Sequence, residues 1–185
     1  MMTRSATALF RKSHVLALFL VLPSGALFAE GHQQASGYFP TGPNDSVTPG
    51  KLCDQPDSTR YPENIPYCDR NVSSSTKQDI IHQYDVEFGF RIESMPRTDF
   101  KIDHLIPLCM GGSNSRENLW PQHKSVFVLT DPIEQGLCEL MAQGHLTQTD
   151  AVSMIRDVKH NLNMADHMMR DIDQRLHRND HNDTY

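Results

Sequence analysis

Apolar and polar positions fall into a few distinct patterns along this chain. Val15 to Leu22 is an unbroken apolar run behind Arg4, Arg11 and Lys12. Residues 30–50 are rich in Gly, Pro, Ser, Gln and Asn without any apolar period, the pattern of a flexible leader, so an ordered domain is expected from about Lys51. Pro56, Pro62 and Pro66 then predict an irregular segment held by a disulfide rather than by a ladder. The first helix is expected over about Thr76–Tyr84, with Ser75 as N-cap and Ile80, Ile81 and Tyr84 on one face.

Phe88–Ile92 and Phe100–Leu108 read as extended, separated by turn residues Ser94–Thr98, and a short extended piece at Leu119–Trp120 stops at Pro121. Asp131-Pro132-Ile133-Glu134 carries the residues of a helix start, and Ile133, Leu137, Leu140 and Met141 follow at helical spacing up to Gly144. Thr147 opens another helix, whose apolar face is Val152, Ile155, Val158 and Leu162. Residues 165–176 extend it or form a further helix, and a polar, frayed tail follows. Short extended pieces among several helices make the pattern that of an α+β protein.

The apolar run behind a positive start has the form of a secretory signal peptide over residues 1–29, too short to span a membrane. Removing it turns a formal charge of −6 into 14 basic against 23 acidic residues, or −9. Export to the periplasm or beyond also places four cysteines in an oxidising compartment. Three pairings are open, of which Cys53–Cys68, a short local loop, and Cys109–Cys138, a clamp between a helix and the central segment, are expected. The absence of any CxxC pair argues against a structural zinc site.

The central segment, Lys101 to Gln122, carries an Asp-His pair inside an apolar strand, a Gly-Gly turn, and an Asn fourteen residues beyond the His. Asp103 and His104 alternate across a strand, so both need polar partners, and a metal ion is a natural one. These residues resemble the HNH, or ββα-metal, nuclease family. The fuller pattern DHLIPLxxGGSNxxxNLWPQ is similar to a group of small secreted bacterial proteins within it, and a weaker resemblance runs from Arg70-Asn71-Val72-Ser73 to about Leu162.

The resemblance implies a disulfide-stapled α+β fold, a small β-hairpin plus helix surrounded by additional helices, in a nuclease domain over residues 51–165, with residues 166–185 as a helical extension and tail. It makes His104 the general base and gives Asp103 and the side-chain oxygen of Asn118 to one divalent cation. An oxygen donor set with most of the shell open suits Mg2+ or Mn2+ better than Zn2+. The third family position offers Asp131, read first as an N-cap and second as a ligand, with Glu134 beside it; His123 is a further candidate for ligand or phosphate contact. Arg116, Lys124 and Arg97 are candidates for substrate phosphates, although residues 70–129 hold seven basic and seven acidic residues.

The expectation is therefore a monomeric, exported endonuclease acting on DNA, with RNA as a second substrate, and with little sequence preference because no base-reading module is evident. Its binding is expected to be modest and strongly salt-dependent, through a local basic groove and the cation. The alternative is a secreted, disulfide-stapled binding module on the same scaffold that has no turnover.

Overall fold

The structure, a computed structural model, describes residues 37–182, with side chains to residue 178. The expected signal peptide over 1–29, residues 30–36 of the leader and the last three tail residues lie outside the described residues. Residues 37–50 are not the free leader their composition suggests. Thr48 is buried, its hydroxyl bonded to the Tyr84 hydroxyl at 3.0 Å and donating to Leu119 O at 3.1 Å, and Gly50 N donates to Glu117 O at 2.8 Å.

Among the described residues the fold is α+β, with two small antiparallel hairpins and four α-helices. β1 (Ser58–Arg60) and β2 (Ile65–Tyr67) form a short ladder where only an irregular segment was expected. The Cys53–Cys68 disulfide lies beside it, and Cys109–Cys138 joins the turn at Leu108–Met110 to a helix, the two pairings expected. α1 runs Ser74–Phe88, capped by Ser73, whose Oγ accepts from Thr76 N at 3.0 Å; the cap lies two residues before the expected Ser75. Gly89 ends it at φ 76°, so the Phe88–Ile92 strand does not form. Asp85 instead accepts from Ile92 N (2.7 Å) and Glu93 N (2.9 Å), folding that stretch into a turn of 3-10 helix.

β3 (Phe100–His104) pairs with β4 (Leu119–His123) in the register His104↔Leu119 to Phe100↔His123. β4 does not stop at Pro121. Leu105 N donates to Asn118 O at 2.7 Å, which places the ladder bonds on residues 101, 103 and 105 and leaves Pro121, opposite Ile102, at a position where its missing N–H faces away from the partner.

α2 (Lys124–Ala142) follows β4 directly. It begins well before the Asp-Pro-x-Glu signal, and its N-cap is His123, whose Nδ1 accepts from Ser125 N at 3.2 Å; Asp131 is not a cap. Val126, Thr130, Ile133 and Leu137 continue one buried face across Pro132. Pro132 removes only the bond to the carbonyl of Val128, a residue 59% exposed, where water can replace it. α3 (Gln148–His160) starts at the expected Thr147 cap. α4 (Ala165–Asn182) is a separate helix that continues through most of the expected tail and packs Met168 and Ile172 inward; a Cβ at Gly136 of α2 would run into Ile172.

Candidate functional site

The connection between β3 and β4 is pinned before any chemistry is considered. Asn118 is fully buried; its Oδ1 accepts from Ile106 N at 2.8 Å and its Nδ2 donates to Ile106 O and Ser113 O, both at 2.9 Å. Gly112 takes part in the same crossing, since a Cβ there would overlap the Ile106 carbonyl. Asn118 therefore closes the loop, and none of these bonds joins it to Asp103 or Asp131.

Register and pleat put Lys101, Asp103, Trp120 and Gln122 on one face of the hairpin and His104 on the other. On the first face, Asp103, Asp131 and Glu134 bring one carboxylate oxygen each within 4.8 Å of the others. Lys101 Nζ donates to Asp131 Oδ1 and Oδ2 at 2.8 and 2.9 Å and lies 3.1 Å from Asp103 Oδ2, the last an ion pair without hydrogen-bond alignment. From α3, the fully buried Lys159 donates to the backbone oxygen of His104 at 2.5 Å and pairs with Glu134 Oε1 at 2.7 Å.

Burial pushes the Asp103 carboxyl up, but Lys159 and Lys101 outweigh it and hold it below the usual carboxylate range. Burial raises Glu134, and Lys159 only partly opposes that. Lys101 is pulled down by burial, yet the two aspartates prevail and keep it charged. Four buried side-chain atoms among the described residues lack a hydrogen bond: Asp103 Oδ2, Trp120 Nε1, Gln122 Oε1 and Glu134 Oε1. Three belong to this face of the hairpin and the fourth to the acidic trio, and three of the four are oxygens. Asp103 Oδ2 and Glu134 Oε1 face the ammonium groups of Lys101 and Lys159, and the indole N–H is no ligand, so the donor set that suits a hard cation is the three carboxylates of Asp103, Asp131 and Glu134.

On the other face, His104 Nε2 is 3.2 Å from Asn114 Oδ1, and Asn114 Nδ2 donates to Asp69 O at 2.7 Å. That second bond orients the amide so that its oxygen meets the imidazole, which makes Nε2 the protonated nitrogen and leaves the lone pair on Nδ1. Burial holds His104 down to about 4, with the Asn114 bond and Asp103 opposing and Arg70 and Lys159 adding to the depression, so the ring is neutral at ordinary pH.

The remaining candidates are engaged elsewhere. His123 caps α2 and stacks on Phe39 with ring centroids 3.7 Å apart. Arg116 reaches Asp79 (3.4 Å) and Gln83 (3.0 Å), Lys124 pairs with Asp99 (2.9 Å), and Arg97 donates to Phe100 O (2.7 Å) while lying over the Phe100 ring. Sequence reasoning missed Asn114, Lys159 and Arg70. Lys159 left a signal, a charge four residues after Ile155 on the apolar face of α3. Asn114 left none, since its bond to Asp69 O spans 45 positions, and Arg70 stood only at the start of the weaker resemblance, with no role attached. No protein family, curated protein or solved structure matches the chain.

Proposed function

We propose that this protein is an exported, metal-dependent endonuclease of the ββα-metal type that hydrolyses phosphodiester bonds in DNA, and in RNA, with little sequence preference. The observation that carries the reading is that one hairpin, running directly into a helix, holds a neutral, oriented His104 on one face and, through the adjacent Asp103, an acidic trio on the other. Asn114 and Asp69 O fix the ring, and His104 Nδ1 takes the proton from the attacking water. A divalent cation, Mg2+ or Mn2+, held by Asp103, Asp131 and Glu134 would neutralise charge on the phosphate and the leaving 3′ oxygen. Arg70, an exposed cation with no ion-pair partner among the described residues, acts on His104 electrostatically and is the side chain suited to a phosphate at that edge.

Two disulfides, together with the absence of any helix among the described residues long and apolar enough to cross a membrane, are consistent with export. One feature favours the alternative, a binding module without turnover: Lys101 and Lys159 already neutralise the acidic trio within the chain. Plasmid degradation by the oxidised protein separates the two. Cleavage with Mg2+ or Mn2+, abolished by chelator and reduced at least about a hundredfold in His104→Ala, is the expected result. Intact DNA and RNA under every divalent metal would leave the binding module, and cleavage by His104→Ala at the wild-type rate would remove His104 from the role of base.

A further inference from the structure

The ammonium of Lys101 lies 2.8, 2.9 and 3.1 Å from three carboxylate oxygens, two of Asp131 and one of Asp103. A hard divalent ion binds carboxylate oxygens at about 2.0–2.6 Å, so an ion using the same oxygens would stand almost where this nitrogen stands. Two positive centres cannot share those oxygens at such separation in a partly buried site. One of them must leave.

The two lysines at the site differ in their freedom to do so. Lys159 is fully buried and anchored by the His104 carbonyl as well as by Glu134. The side chain of Lys101 is 35% exposed, and its partners are the two aspartates and the ring of Phe127, 4.9 Å from Nζ. Asp131 is 47% exposed, which leaves a path from solvent to the same oxygens.

We infer that Lys101 is a resident cation of the acidic centre that a divalent metal ion displaces, so that ion and ammonium occupy the centre alternately. The inference rests on the metal-centre reading above. It explains how three clustered carboxylates are tolerated in the folded chain, with one ammonium fixed and one exchangeable. It also makes Lys101 a determinant of metal affinity, acting against binding.

Calorimetric titration with Mn2+ tests it on the oxidised full chain, comparing wild type with Lys101→Met, which keeps an apolar stem over Phe127. The variant is expected to bind Mn2+ about tenfold tighter, because no ammonium has to be moved. Amine acetylation mapped by mass spectrometry gives an independent measurement on the wild type: saturating Mn2+ should raise labelling of Lys101 several-fold and leave Lys159 unlabelled. Equal or weaker Mn2+ binding by Lys101→Met, or unchanged Lys101 labelling in a wild type that binds Mn2+, overturns the displacement and leaves the metal centre standing. Failure of both proteins to bind Mn2+ removes the metal centre and the displacement together.

Discussion

At the residue scale, the behaviour of His104 follows from where its proton is lost. Its ordinary value is 6.5 and burial brings it to about 4 in the fold, so between those pH values the unfolded chain binds a proton that the folded chain does not. Stability from this residue is therefore fully present above pH 6.5 and declines as pH falls toward 4, by up to about 3 kcal/mol. Urea unfolding of wild type against His104→Gln over pH 4–7.5 isolates this contribution from Asp103 and Glu134, which titrate in both proteins. The wild type should lose the extra stability below pH 6.5, and parallel curves would mean that the ring is not held neutral. The same depression keeps Nδ1 unprotonated well below pH 6.5, so if the proposed nuclease reading holds, the acid limb of cleavage should not centre on an ordinary histidine value.

At the scale of elements, the loop from Leu105 to Asn118 shows what one buried amide can do. Asn118→Ala leaves Ile106 N, Ile106 O and Ser113 O without their partner inside the fold, which should cost at least about 3 kcal/mol. Thermal unfolding measures that loss, and Mn2+ titration of the folded variant well below its midpoint should show affinity within about twofold of wild type. A large loss of affinity would return Asn118 to the ligand set.

This element also marks how far the sequence could be read. The β3–β4 strands, α3 and both disulfides were legible from aromatic and β-branched residues, a Thr cap and cysteine spacing, although β3 ends at His104 rather than at the expected Leu108. α2 was misplaced because Asp-Pro-x-Glu is a strong helix-start signal, yet the apolar face from Val126 to Leu137 continues through it. The Asp103-His104 pair was visible, and Lys159 stood out as a charge on an apolar face, but its partner 55 positions away and the contact of Asn114 with His104 are not encoded in periodicity.

For the whole molecule, charge sets the limit on the nucleic-acid binding proposed above. The chain carries −6 overall and −9 beyond residue 29, so its mean field repels a polyanion. A basic groove was expected to overcome this, but the lysines and arginines near the motif are mostly committed to the protein itself: Lys51, Lys101, Arg116, Lys124 and Lys159 all pair with carboxylates, and Arg97 with a backbone oxygen. Few cations remain to release counterions from DNA, so binding should be weak and its salt slope shallow, near −1 to −3, rather than steep. Arg70→Ala, an exposed change with little effect on folding, should weaken binding of a short duplex by roughly fivefold and flatten that slope by about one. Fluorescence anisotropy in the His104→Ala background, from 20 to about 200 mM salt with Ca2+ present, measures both without cleavage. A slope steeper than about −6 would require a basic surface that these ion pairs do not leave free, and would mean that several of them open when nucleic acid binds.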